Sequence, residues 1–303
     1  MRQGAMSNTL PLSVFIIACN EADRIGSTLA SVASWVDDIV VVDSGSTDAT
    51  VEIAQRFGAR VFTRSWTGYG PQKRYGEDQC RHDWTLNLDA DEALSPELQT
   101  EIQNLFRSGG ISRASFWRMA IKDTWPHEEA PASFAYGYNQ IRLYRRSIGR
   151  FSPSPVHDTV RPPDEAPIGQ LKHPVAHRSL RSLAHQIDKL NTYTDAQVAD
   201  LAQRGRRLPR YRLVTEFPMA FVKAYLVRRY WRYGWWGVIV SLTHAYARFL
   251  RVAKSYEMYL RAQKEHSHVG GDSGIYSHRS HSRAQCRPDA DANAGKLEGA
   301  DLP

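Results

Sequence analysis

The sequence predicts an α/β fold: a doubly wound, mostly parallel, Rossmann-like sheet followed by a helical extension. Between Leu10 and Ile111, short apolar runs typical of buried strands alternate with stretches of helical periodicity. Strands separated by whole helices favour parallel pairing, with helices on both faces of the sheet. We expect a sheet domain at residues 10–178, a basic aromatic helical extension at 179–265 and a disordered tail at 266–303.

The elements follow from local patterns in chain order. Strands are expected at Leu12–Ala18, Asp38–Val42, Arg60–Thr63 and Trp84–Leu88, and helices at Ala22–Ser34, Thr47–Phe57, Gly70–Cys80 and Pro96–Phe106. Ser46, Thr47 or Asp48 is the expected N-cap of the second helix, and Ser95 before Pro96 that of the fourth. Weaker patterns predict further strands of the same sheet at Phe116–Ala120 and Ile141–Tyr144.

The apolar segment Leu10–Cys19 allows two interpretations. It has the length of a secretory signal core, and Ile16–Cys19 resembles a lipoprotein cleavage site. Only Arg2 is basic upstream, however, and a helical pattern follows directly. We therefore favour a buried strand over a signal segment.

Polar residues follow three of the expected strands at the point where each strand ends. They are Asn20 and Glu21, then Asp43 to Ser46, then Asp89 to Asp91. In open α/β sheets, ligands bind beyond the carboxyl ends of the strands. The sequence therefore predicts a ligand site at this edge.

The pair Asp89 and Asp91 is the strongest candidate for chemistry. On an extended strand end, residues i and i+2 share a face, and two carboxylates there suit Mg²⁺ or Mn²⁺ that also binds substrate phosphates. The alternative is a solvated acidic loop. For Asp43 the alternative to ligand binding is a simple strand–turn–helix connection, in which Asp48 caps the helix.

Composition and missing motifs narrow the function classes. No G-x-G-x-x-G and no G-x-x-x-x-G-K-[ST] is present, which disfavours a dinucleotide oxidoreductase and a P-loop enzyme. The glycine-bearing segment Gly68–Arg74 carries Lys73, which could bind a diphosphate. The three cysteines, scattered and odd in number, indicate a reducing compartment.

The positive charge is concentrated late in the chain. Residues 204–264 carry 14 Lys and Arg against two Glu, whereas the whole chain has a net charge of +7. Phe221–Leu260 mixes Arg with Trp and Tyr at helical spacing. It is interpreted as a membrane-interface segment, with two packed helices or a nucleic-acid surface as alternatives. We expect no nucleic acid among the binding partners.

Several motifs together resemble the family 2 inverting glycosyltransferases of the GT-A fold. They are Ile16–Glu21, Val41–Asp48 and Leu88–Glu92. Three later segments resemble the bacterial lipopolysaccharide core β-1,4-glucosyltransferase subgroup: Gly137–Arg146, Phe151–Val160 and His185–Thr194. The resemblance extends over roughly 11–257.

The resemblance implies a role for each matching residue. The nucleoside of a UDP-sugar would be contacted by Asn20, Glu21, Asp43 and Ser44, although the family commonly has Asp where Ser44 stands. Lys73 would lie near the diphosphate and Asp89 near the ribose. Asp91, together with Asp89, would hold the metal. A Glu usually stands where this chain has Asp158. Asp158 is the expected base, with His157 as the alternative base or a metal ligand. His173 and His177 are interpreted as structural because Pro174 disrupts a helical pair.

The implied activity is transfer of a hexose, glucose from UDP-glucose, to a lipopolysaccharide inner-core heptose. The protein would act as a peripheral protein at the inner face of the bacterial cytoplasmic membrane, on a lipid-linked saccharide. Two alternatives remain: a sugar-phosphate nucleotidyltransferase and a non-enzymatic basic membrane-binding protein.

Overall fold

A computed structural model describes residues 9–154 and 158–269. Within these residues the chain divides into two compact units, and the division falls between Ser179 and Leu180. The first unit contains a mixed α/β sheet, and the second is helical.

The first unit is built on a nine-stranded sheet and a separate two-stranded ribbon. The strands are β1 (Leu10–Ala18), β2 (Val36–Asp43), β3 (Arg60–Thr63), β4 (Trp84–Asp89), β5 (Glu92–Leu94), β6 (Phe116–Asp123), β7 (Gly137–Arg145), β8 (Arg150–Phe151), β9 (Val160–Arg161), β10 (Ile168–Gln170) and β11 (Val175–His177). The order along the large sheet is β3-β2-β1-β4-β7-β6-β11-β5, with β10 beside β6, and β8 pairs with β9.

Helices connect the strands of the first half. They are α1 (Ile25–Ala30), α2 (Thr50–Arg56), α3 (Tyr69–Gln79) and α4 (Pro96–Arg107). In α4 the Ser95 hydroxyl accepts a hydrogen bond from the Leu98 backbone N–H, as the N-cap prediction requires. Two helices are shorter than predicted. In particular, α2 begins at Thr50, whose N–H donates a hydrogen bond to the Asp48 carboxylate (3.0 Å) rather than continuing a helix from Thr47.

The sheet confirms the predicted doubly wound α/β class. Strands β1, β2, β3 and β4 are parallel to one another, whereas β7 runs antiparallel to both β4 and β6. β1 lies between β2 and β4, and most of its side chains are buried, which agrees with the strand interpretation of this segment. Apolar residues of β1, β2 and β4 form the centre of the core.

The described part of the second unit, residues 180–269, contains three α-helices. They are α5 (Leu183–Gln203), α6 (Arg212–Val222) and α7 (Gly234–Val269), with a π-helical turn (Lys223–Val227) and a 3₁₀ turn (Tyr230–Tyr233) between α6 and α7. α7 extends past His266, where we expected disorder, and the remainder of that predicted tail lies outside the described residues. Among the described helices, none is long and apolar enough to cross a bilayer.

Candidate functional site

The three polar strand ends lie side by side at one edge of the sheet. In the parallel register, Ala18 at the end of β1 is opposite Asp43 of β2, and Ile17 is opposite Asp89 of β4. The residues that follow these strands are therefore brought to one place, as the sequence pattern predicts.

Asp43 closes the turn that follows β2. Its carboxylate accepts hydrogen bonds from the N–H groups of Gly45 (2.9 Å) and Ser46 (3.0 Å) and from the Ser46 hydroxyl. Gly45 has a φ of +94°, a conformation that glycine adopts readily. Asn20, with a φ of +56°, ties β1 to this turn, since its side-chain oxygen accepts from the Thr47 N–H at 2.8 Å. The turn thus accounts for much of the role of Asp43.

Ser44 is buried beside a glutamine of α3. The Gln72 side-chain amide donates to the Ser44 hydroxyl (3.0 Å) and to the Arg64 carbonyl oxygen (3.0 Å). The amide oxygen, Oε1, is buried and has no hydrogen-bond partner among the residues that the structure describes. A buried unpaired acceptor is unfavourable, so this atom marks a position where a donor group would be stabilised.

Two cationic side chains hold Asp89. Lys73 Nζ lies 2.7 Å from one carboxylate oxygen, and Arg142 Nη2 lies 2.9 Å from the other. Arg142 also pairs with the fully buried Glu92 at 2.8 Å. Burial opposes the charge of Arg142, but Asp89 and Glu92 outweigh it and raise its pKa well above the ordinary value.

A second pair of cationic side chains holds Asp91. Arg24 Nη1 and His177 Nε2 each lie 3.4 Å from Asp91 Oδ2, and His177 Nδ1 lies 3.3 Å from Asp123. Burial opposes the charge of Asp91, but His177 and then Arg24 outweigh it and hold the pKa of this carboxyl well below its ordinary value. Burial also disfavours the imidazolium, but Asp91 and Asp123 raise the pKa of His177 to about 10.

The two aspartates do not share one strand face. β4 ends at Asp89, and the chain turns at Ala90 and Asp91 before β5 begins. The extended geometry assumed for this pair is therefore wrong, because the turn directs the two carboxylates to different cations. Their mutual repulsion is offset by protein side chains rather than left entirely to a bound ion.

Asp158 joins the site through Lys73. Its carboxylate is 3% exposed and lies 2.7 Å from Lys73 Nζ, which also contacts Asp89 at the same distance. Burial opposes the charge of Lys73, but Asp158 and then Asp89 raise the pKa of this amine above its ordinary value. The other base candidate, His157, lies outside the described residues.

Comparisons with known proteins identify the family of the chain. The family profile described as "Glycosyl transferase family 2" matches residues 13–160. A relative from Rickettsia felis, an uncharacterized glycosyltransferase, is 39% identical over 259 residues that cover 83% of this chain and 92% of the relative. The chain belongs to glycosyltransferase family 2. It is therefore an enzyme, and the non-enzymatic alternative is discarded.

A second relative of this glycosyltransferase has a more specific name. The lipopolysaccharide core biosynthesis glycosyltransferase LpsC of Rhizobium meliloti is 32% identical over 263 residues, which cover 82% of this chain and 93% of LpsC. Among solved structures, S. aureus TarS 1-349 in complex with UDP-GlcNAc is 14% identical, covers 84% of this chain and 92% of that chain, and overlays with a TM-score of 0.42. Because this TM-score is low, the overlay gives no basis for assigning a ligand to this chain.

Asp91 is the protein carboxylate that a divalent cation held largely by substrate would use at this site. No three His, Cys, Asp or Glu side chains are grouped as a metal site in residues 9–154 and 158–269. His177 beside Asp91 is held as an imidazolium and offers no ligand atom in that state, so the carboxylate is the protein's contribution here. Mg²⁺ and Mn²⁺ commonly take one or two protein carboxylates and complete their shells with water and phosphate oxygens.

Three residues of this glycosyltransferase site were missed by sequence reasoning. Arg24 and Arg142 were not singled out, because single arginines in α/β sequences carry no motif. His177 was interpreted as structural, yet β11 pairs with β5 and β6 and thereby brings this side chain to Asp91. The only sequence signal was its position in the His173–His177 segment.

Proposed function

We propose that this family 2 glycosyltransferase transfers a hexose, glucose from UDP-glucose, with inversion to a heptose of the lipopolysaccharide inner core. The name of LpsC, a relative similar over most of both chains, supports the pathway. The acceptor would be a lipid-linked saccharide, and the enzyme would act as a peripheral protein at the inner face of the cytoplasmic membrane.

The nucleoside would bind over the ends of β1 and β2. Asp43 Oδ1 accepts one hydrogen bond, from the Ser46 hydroxyl, which leaves it one further acceptor position for a base or ribose donor. Glu21 and Ser44 border the same turn, and Asn20 fixes its shape. These contacts would orient the donor; they supply no chemistry.

The diphosphate would lie against the cations that now hold Asp89 and Asp91. A divalent ion on Asp91 would neutralise charge on the departing UDP. Asp89, between Lys73 and Arg142, would face the ribose and the waters around that ion. Lys73 would bind the diphosphate. Its buried ammonium group contacts two carboxylates, and a diphosphate could take the place of one of them as its anionic partner.

Asp158 would take the proton of the attacking heptose hydroxyl. In the structure Lys73 Nζ occupies Oδ2 of this carboxylate, so movement of Lys73 would leave both oxygens to the acceptor hydroxyl. A bound diphosphate offers Lys73 another anion. Donor binding would thus free the base, and acceptor would react second. The observation that carries this proposal is the 2.7 Å contact of Lys73 Nζ with both Asp89 and Asp158.

The test is a screen of UDP-sugars with a heptose-containing lipid acceptor, with Mg²⁺, Mn²⁺ or EDTA, in which UDP release and glycosylated lipid are both measured. UDP-glucose should give both products. Asp91→Asn should lower transfer by about 100-fold, because the charge that holds the ion is removed. Glu97→Gln, at a fully exposed carboxylate on α4, is the matched control and should keep full activity.

Two results would contradict the proposal. One is formation of UTP and sugar 1-phosphate from the UDP-sugar when pyrophosphate is added, without release of UDP, which would identify a nucleotidyltransferase. The other is wild-type transfer by a folded Asp91→Asn variant. Circular dichroism of each variant separates lost chemistry from lost structure, because Asp91 also balances two buried cations.

A further inference from the structure

The helices α6 and α7 bury several polar and small side chains, besides Val240 and Val252, and expose several large apolar ones. On α6 and the π-helical turn, the buried positions are Glu216, Ala220 and Ala224, spaced four residues apart. The exposed positions of the same segment include Val214 at 78%, Leu226 and Val227. A helix pair in water places these groups the other way round.

The contact between the two helices shows the same inversion. Glu216 of α6 is 7% exposed and pairs with Arg248 (3.0 Å) and Arg251 (3.7 Å) of α7. On α7 the buried residues include Gly237, Ser241 and Ala245, again four residues apart. Small residues at this spacing permit close helix packing of the kind found in lipid, where the apolar side chains face outward.

The connection between α6 and α7 carries the largest exposed aromatic groups of this unit. We define the tip as residues 222–239. Its outward apolar side chains are Val222, Leu226, Val227, Trp231, Trp235 and Ile239, and Trp235 is 85% exposed. Exposed cations stand among them: Lys223, Arg229 and Arg232. Tryptophan and arginine in one short segment are typical of membrane interfaces.

We propose that the tip is a shallow membrane anchor that docks on the anionic headgroup layer of a bilayer. The aromatic and aliphatic side chains would enter the interface, and the three cations would pair with lipid phosphates. A second copy of the chain fits less well, since it would bring the cations of two tips together. No described helix can cross a bilayer, so the anchor lies at the surface. The inference deepens the proposed function and rests on it for the lipid-linked acceptor.

The test is flotation of the full-length protein with vesicles of phosphatidylcholine alone or with 30% phosphatidylglycerol. The tip variant carries Leu226→Ser, Val227→Ser, Trp231→Ser and Trp235→Ser. Its matched control carries the same change at four apolar residues exposed elsewhere: Ile148→Ser, Ile187→Ser, Met258→Ser and Leu260→Ser. Wild type and control should float with the anionic vesicles, and the tip variant should stay in solution.

A second pair of variants tests the charges of the tip against an equal loss of charge elsewhere in the chain. Lys223→Gln, Arg229→Gln and Arg232→Gln should weaken partitioning by about 100-fold, at about fivefold for each cation near a lipid surface. Arg204→Gln, Arg206→Gln and Lys264→Gln remove as much charge from exposed positions outside the tip and should change partitioning much less.

Several outcomes would overturn the inference: wild-type protein that does not float, tip variants that float like wild type, or controls that fail equally. Light scattering that shows a dimer, dissociated by the tip variant and without vesicle retention, would assign the tip to a second copy. UDP binding is measured on the same samples. Loss of flotation with UDP binding intact defeats only the anchor, whereas flotation without any UDP binding defeats only the proposed function.

Discussion

At the scale of the residue, Lys73 is the connection between two halves of the site. It is fully buried, and it balances Asp89 at the end of β4 and Asp158 beyond β8. Lys73→Met should lower the free energy of unfolding by about 3–5 kcal/mol, because the buried Asp158 would lose its cation and the partly buried Asp89 would lose one of two. Urea unfolding at neutral pH measures this loss.

The control for that prediction is Arg74→Met, on the same helix but only partly buried, where we expect less than about 1 kcal/mol. In a double-mutant cycle, Asp158→Asn should recover part of the loss in the Lys73→Met background, since one uncompensated charge disappears. Equal stability of Lys73→Met and wild type would mean that the amine serves substrate alone.

At the scale of the element, the start of α3 depends on a close backbone approach. A Cβ on Gly70 would lie 2.2 Å from the Ser152 carbonyl oxygen and 2.4 Å from that of Ser154. Gly70→Ala should therefore displace the segment that leads to Asp158, lower stability by about 1–3 kcal/mol and reduce transfer. Thermal unfolding and UDP release measure the two effects.

Helix propensity alone predicts the opposite sign, because alanine is the better helix former. Gly26→Ala in α1 is the matched control. Its Cβ would meet only Ile53 at an ordinary 3.8 Å, so the variant should be neutral or more stable by up to about 1 kcal/mol. Equal stability of the Gly70→Ala and Gly26→Ala variants would show that the 152–154 segment shifts at little cost in free energy.

The elements predicted from the sequence are those whose evidence lies within a few neighbouring residues. β1, β2, β4 and α4 follow from apolar runs and from a cap, and Asp89 and Asp91 follow from their position after a strand. The four cations that balance this pair were not all predictable. Arg24, Lys73, Arg142 and His177 come from separate elements, and they meet the aspartates only because of strand order and of the turn after Asp89.

At the scale of the whole molecule, charge is segregated along the chain. The sheet unit holds its acids in pairs with buried cations, whereas the helical unit carries an excess of arginine and lysine. Such paired ionised groups make the stability of the sheet unit depend on pH, because their pKa values differ between the folded and unfolded chain.

The sheet unit should be most stable between about pH 4 and 6.5. Burial opposes the charge of Asp38, but hydrogen bonds from Ser13, the Arg81 N–H and Arg60 hold its pKa below the ordinary value, as His177 and Arg24 do for Asp91. Stability from these carboxylates is present above the unfolded pKa of about 3.8 and is lost as pH falls below it.

His177 acts in the opposite direction on the alkaline side. Its pKa is raised from 6.5 to about 10, so its stabilisation is complete below pH 6.5 and disappears as pH rises towards 10. Amide exchange of the β1 and β2 strands, corrected for intrinsic rates, should show stability declining over that window. His177→Gln should be less stable than wild type at pH 6, and the two should converge near pH 10. Curves that stay parallel across this range would show that the imidazolium does not hold Asp91 in solution.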